Sequence, residues 1–148
     1  MHIPAPLEPP APPGPPELLD PFGHGLLLDD GDLVVRGGGL AEVRGPANLV
    51  QALTLRLLTP YGTDRCNHRY GLSAGEAFTH PGGPRVLKDL LRLEIVRTLG
   101  ADPRVREVLD VAFTEDRAAR LLTVRVLLEA LDGRTTALSA ALSAALEV

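Results

Sequence analysis

Cys66, His68 and His80 are the residues whose types most readily suggest chemistry, and together they could be drawn as a metal site. A structural zinc site takes four ligands, usually in closely spaced pairs. Here there are three candidates, and Cys-x-His is not a usual pair, so a metal centre is not expected. Glycoside hydrolysis is the other chemistry to weigh. It needs two carboxylates flanking the sugar bond, about 5–10 Å apart. Nineteen acidic residues make such a pair easy to imagine, so their number decides nothing. A sugar cleft also wants aromatic platforms, and the chain has no tryptophan, two tyrosines and three phenylalanines. No Ser/His/Asp constellation, phosphate-cradling glycine loop or HExxH string occurs. Catalysis and cofactor binding are therefore not expected.

Composition narrows the classes further. The formal charge is −4, and fourteen of the fifteen basic residues are arginine. Arginine favours bidentate ion pairs at protein interfaces, whereas a nucleic-acid binder would show a basic excess. A single cysteine cannot form an intrachain disulfide and fits a reducing compartment. No apolar stretch reaches the roughly 18 residues that span a bilayer, so membrane insertion is not expected. Residues 1–16 hold eight prolines. Proline fixes φ and removes the amide donor, so residues 1–20 read as a flexible polyproline-II tail. Without a charged n-region and an apolar run it is not a signal peptide. Two PxxP strings, Pro9-x-x-Pro12 and Pro10-x-x-Pro13, also fit ligands for an aromatic-lined groove. The folded domain is expected over 21–148.

The expected fold class is α+β: two main helices packed with a small antiparallel C-terminal sheet, plus a short N-terminal strand pair. Gly25–Leu28 and Asp32–Val35 read as that pair around Asp29-Asp30-Gly31-Asp32. Gly37-Gly38-Gly39 reads as a flexible break. Gly45-Pro46 starts a helix, because proline at its first position loses no hydrogen bond. Leu49, Val50, Leu53, Leu57 and Leu58 give it one apolar face, and Pro60 ends it. A glycine-containing loop follows over 60–84, long enough to suggest function or ordering by a partner. Pro84 opens a second helix running to about Leu99, with Leu87, Leu90, Leu91 and Ile95 as its stripe and Gly100 as C′ residue. Asp102-Pro103 reads as the N-cap and first position of a short turn. Strand-like runs follow over 107–114 and 120–131, and in the second Leu122, Val124, Val126 and Leu128 share a face. Asp132-Gly133 signals a hairpin turn. From Thr136 to Val148 apolar or small residues fill every even position. Strand is the favoured reading there, with an alanine-rich helix as the alternative. Leu138 is expected further from the core than the residues of the preceding strand.

One string is recognisable. Between Phe22 and Arg104 the chain reads F-G-H-G-L, N-L-V-Q-A-L with L-x-T-P-Y-G, then R-Y-G, a leucine-rich helix and D-P-R. In order and spacing it resembles the sheath-initiator family of contractile-tail baseplates, the phage protein W type and TssE of type VI secretion. The resemblance covers residues 21 to 131. It implies an assembly part: about six copies ringing a tube, in keeping with cyclic assemblies, each tying baseplate wedge proteins to the first sheath ring. Sheath protein and wedge proteins would be its partners, with tube or hub proteins as neighbours. The family loop matches at Thr59, Gly62, Tyr70 and Gly71. Thr63 stands where the family commonly has glutamate, with Asp64 beside it. Asp102, Pro103 and Arg104 match the family's Glu-Pro-Arg motif, implicated in wedge docking, with aspartate one methylene shorter. Leu122, Val124, Val126, Leu128 and Leu138 mark the strands expected to pair with sheath arms by β-augmentation. Assembly in the cytoplasm into a phage tail-like particle follows from the same resemblance. Some family members carry a lysozyme-like label, so a cell-wall glycoside hydrolase is the alternative, and a proline-rich adaptor a third reading.

Overall fold

The computed structural model describes residues 21–143, except the side chains of Glu76, Phe78 and Ser143. The proline-rich tail, and Ala144, Leu146 and Val148 of the alternating segment, lie outside the described residues. The fold is α+β. Six short strands, β1 (His24–Leu26), β2 (Leu28–Asp29), β3 (Asp32–Leu33), β4 (Val35–Arg36), β5 (Gly39–Leu40) and β6 (Glu42–Arg44), precede helix α1 (Gly45–Leu58). Helices α2 (Gly75–Thr79) and α3 (Gly83–Gly100) follow. Strands β7 (Val105–Asp116), β8 (Leu121–Ala130) and β9 (Thr135–Ser143) come last.

The N-terminal strands are more than one pair. They form three two-stranded arms, β1 with β6, β2 with β3 and β4 with β5, all antiparallel. At their junction the amide of Leu27 donates to Ala41, that of Val34 to Leu27 and that of Ala41 to Val34. The cycle closes because the three residues are seven apart, as are Leu26, Leu33 and Leu40, which stay exposed. Two arms turn on dipeptides with positive φ at both positions, Asp30-Gly31 and Gly37-Gly38. That geometry gives the tight hairpin turn whose twist matches its strands. The triple glycine, expected as a flexible break, is thus an ordered hairpin turn.

Helix α1 buries Leu49, Leu53 and Leu57, and α3 buries Leu91, Ile95 and Leu99, each at most 1% exposed. Each such side chain contributes about 1.5–3 kcal/mol by leaving water. Together they cover one face of a sheet ordered β7-β8-β9, α1 against β9 and α3 against β7. From β8 the sheet supplies Leu122, Val124, Val126 and Leu128, and from β9 Leu138, Ala140 and Leu142. Leu138 is therefore a core residue at 3% exposure, not a peripheral one. Register in β8 and β9 is continuous from Leu121↔Ser143 to Glu129↔Thr135. In β7 it slips twice, between Val105 and Glu107 and between Val108 and Asp110. Those bulges let Val105, Val108, Val111 and Phe113 face the core although they do not alternate strictly.

Two further expectations are corrected. The 60–84 segment contains α2. Gly100 is the last residue of α3 and does not adopt the left-handed form; the cap is Ala101, in right-handed helical geometry. The helix instead ends by passing into the next turn, where the Asp102 amide donates to the Leu99 carbonyl.

Candidate functional site

Three parts of the chain far apart in sequence, Phe22, Asn48 and Arg104, meet at one backbone carbonyl. Phe22 is buried at 4% exposure. Its carbonyl accepts from Asn48 Nδ2 at 2.8 Å and from Arg104 Nη1 at 3.2 Å. Gly23, with φ of 65°, turns the chain there, and a Cβ on Gly25 would lie 3.0 Å from Asn48 Oδ1. The F-G-H-G and N-L-V-Q motifs are thus two halves of one packing arrangement. Gln51 extends it: its Nε2 donates to the Leu26 carbonyl and its Oε1 accepts from the Leu28 amide.

Asp102 and Arg104 form the other side. Asp102 Oδ1 accepts from the Arg104 amide at 2.9 Å and Arg104 Nε at 3.0 Å, and Oδ2 accepts from Nη2 at 2.7 Å. This is a bidentate fork, the strongest carboxylate–guanidinium geometry. The Asp102 and Arg104 side chains are 9% and 25% exposed. Burial pushes the Asp102 carboxyl up, but the hydrogen bonds and charge of Arg104 more than reverse this, leaving it below its ordinary value. Arg104 is held above its ordinary value, chiefly by the hydrogen bond to Asp102. The Arg104 carbonyl also accepts from the Leu131 amide, tying the start of β7 to the end of β8. Pro103 is exposed. Asp102 caps the turn as its sequence suggested, while Arg104 is not a solvated side chain: it is committed to an internal knot.

The 59–72 loop closes on itself beside this knot. The Leu72 amide donates to Thr59, that of Tyr61 to Leu72 and that of Gly62 to Tyr70. Gly71 sits at φ of 109°, where a Cβ would come within 2.4 Å of the Thr59 carbonyl oxygen. Only glycine fits there. The Gly71 carbonyl accepts from Thr98 Oγ1 at 2.7 Å, and Thr98 Oγ1 in turn accepts from Arg56 Nε at 2.9 Å. The Arg56 guanidinium lies over the Tyr70 ring, 5.0 Å from its centroid. Burial raises the Tyr70 phenol above its ordinary value, with the Arg56 charge opposing, Asp64 and Asp102 adding to the rise and Arg104 opposing it. Asp64 Oδ1 accepts from the Cys66 and Asn67 amides and shapes the loop tip. Arg56 and Thr98 were not singled out from sequence; the signal available was a basic and a hydroxyl residue on otherwise apolar helix faces.

Among the described residues no cluster of His, Cys, Asp and Glu could hold a metal ion. Cys66 is exposed, and His80 Nδ1 accepts from the Gly82 amide. No described helix is long and apolar enough to cross a membrane.

The C-terminal strands differ in what they offer. β8 is central, its backbone paired with β7 on one side and β9 on the other, and Leu122, Val124, Val126 and Leu128 point into the core. None of these four can meet an arriving strand. β7 and β9 are the edges. β7 carries two bulges and the charged residues Arg106, Glu107, Asp110, Glu115 and Asp116. β9, reading TTALSAALS, has no charge, no proline and no bulge, and it presents Ala137, Ser139 and Ala141 outward.

No family model matches this chain, and no curated protein does.

Proposed function

We propose that this chain is the sheath initiator of a contractile injection or phage tail-like particle, a structural part that joins baseplate wedge proteins to the first sheath ring. The β9 edge is the observation that carries the reading. Soluble proteins blunt sheet edges with charge, proline or bulges, because an open edge recruits strands. β7 is blunted in two of these ways and β9 in none. An extended arm of a sheath subunit laid along β9 would complete its outward amides and carbonyls, each such hydrogen bond contributing about 0.5–1.5 kcal/mol. The small outward side chains let the arm lie flat, and the alternation fixes its register. A first ring added in this way would present its own edge to the second. Leu138 takes part as the core anchor of the edge strand, and the β8 residues as the rigid layer behind it.

Asp102, Pro103 and Arg104 would serve wedge docking from within. Their knot fixes the N-terminal arms and the β8–β9 turn relative to α3, and exposed Pro103 marks the surface so fixed. The resemblance supports the same reading, and three of its motifs touch where the Asn48 and Arg104 side chains donate to the Phe22 carbonyl. The test is to tag the chain in cells that produce it, capture it, and image the captured material by electron microscopy. Tube-and-sheath particles with the tag at the baseplate end would support the proposal; capture of the chain alone, with no particle, would refute it.

A further inference from the structure

We propose that the cleft between the 59–72 loop and α3 is a receptor for an acidic side chain presented by a protein partner. The cleft has a volume of about 360 Å³, and Arg56, Arg69 and Arg97 line it against one carboxylate, Glu94. On a chain of net charge −4 this is a local positive excess. Glu94 is already paired with Arg97, at 3.4 Å. Arg56 is the organised element. Its Nε is pinned to Thr98 Oγ1, and the guanidinium sits over the Tyr70 ring. Its two Nη groups have no hydrogen-bond partner among the described residues. A guanidinium held in this way has lost its rotamer freedom before binding, and its remaining donors match the two oxygens of a carboxylate. The Arg69 side chain, on the loop, likewise has no partner among the described residues. It can close on the same carboxylate from the opposite side.

The size and surroundings select among anions. The cleft admits a side chain, while a nucleic-acid strand would also meet Glu94 in the lining and Asp64 on the same loop. A carboxylate on a folded partner or a peptide is the fitting occupant. The inference is independent of the assembly reading, since it rests on the cleft alone.

The chain supplies its own reporter. Both tyrosines belong to this site, Tyr61 in the lining and Tyr70 beneath Arg56, and there is no tryptophan. Full-length protein is titrated with a blocked peptide carrying consecutive glutamates. Its glutamine counterpart and inorganic phosphate serve as comparison probes, and tyrosine emission is the readout. The glutamate peptide is expected to change the emission saturably and more weakly as salt rises. Arg56→Lys, which keeps the charge but loses the fork, and Arg69→Gln, at an exposed position, should each weaken binding about tenfold, the loss of one charge-assisted hydrogen bond. The remote variant Arg36→Gln should bind as the parent does. An absent response, an equal response to the glutamine peptide, phosphate binding as tightly as the glutamate peptide, or unchanged affinity in both site variants would overturn the proposal.

Discussion

Replacing Arg104 by alanine isolates the Asp102–Arg104 knot. Arg104→Ala removes two hydrogen bonds to Asp102 and one to the Phe22 carbonyl. The Asp102 carboxylate keeps only the amide of residue 104, at 2.9 Å, in a residue 7% exposed. Removing one partner of a fully buried pair costs about 3–5 kcal/mol. Arg104 is a quarter exposed, so water can enter in its place, and the expected loss is nearer 2–3 kcal/mol. For a domain of this size that lowers Tm by roughly 6–12 °C. The assay is thermal and urea unfolding followed by circular dichroism, on Arg104→Ala, Asp102→Ala and the double variant. The two losses should fail to add by at least about 1 kcal/mol, because the second substitution removes the stranded charge. The pH dependence has a definite sign. The folded Asp102 carboxyl lies below its unfolded value, so the knot's contribution is present above the unfolded value and is lost as pH falls through the folded one. The gap between parent and variant should therefore be full near neutrality and shrink below about pH 4. A Tm change under about 2 °C, or fully additive losses, would refute the reasoning. Whatever it does to the proposed wedge docking, the geometry predicts that this variant is less stable.

Other expectations are narrower. Gly71→Ala should destabilise by about 2–4 kcal/mol, because its Cβ would collide with backbone at Thr59 and Pro60. Gly133→Ala, also at positive φ but with nothing within 4 Å, should cost only about 1–2 kcal/mol, and equal losses in urea titrations would contradict the collision. Leu138→Ala should cost about 2–5 kcal/mol as a core truncation, so a near-neutral result would place this residue outside the core. The Tyr70 phenol is raised above its ordinary value, so its contribution is complete below the unfolded value of about 10 and is lost as pH rises through the folded one. Tyr70→Phe should accordingly lose less Tm than the parent under alkaline conditions, and identical alkaline profiles would count against burial of the phenol.

Much of the fold is legible because local rules decide it. The four-residue spacing of Leu49, Leu53 and Leu57, and of Leu91, Ile95 and Leu99, can only be buried by helices of the observed phase. Asp132-Gly133 and the even-numbered alternation of β9 determine a third strand. What escaped depends on distant partners. The three-armed N-terminal unit is written as a seven-residue recurrence of Leu26, Leu33 and Leu40, but each arm alone resembles an ordinary hairpin or a break. The strand alternation in β7 fails at its bulges, and residue type alone does not say that β8 lies in the middle. At the candidate site, Asp102 could be read as a cap from its neighbours. That Arg104 reaches the Phe22 carbonyl, 82 residues away, is a property of the packed molecule. So is the placing of Arg56 over Tyr70, which Thr98 of α3 helps to fix by bonding both Arg56 and the Gly71 carbonyl.

The proposed sheath role turns on whether the free edge of β9 receives a strand. Ala141→Lys places a charge at an exposed position of that strand, the device by which natural edges repel pairing, and leaves the buried neighbours Ala140 and Leu142 in place. The measurement is a count by electron microscopy of sheathed and bare particles from producing cells, with parent-like Tm of the purified variant as the control. The proposal predicts baseplates and tubes carrying this chain but no sheath; a normal proportion of sheathed particles would contradict it.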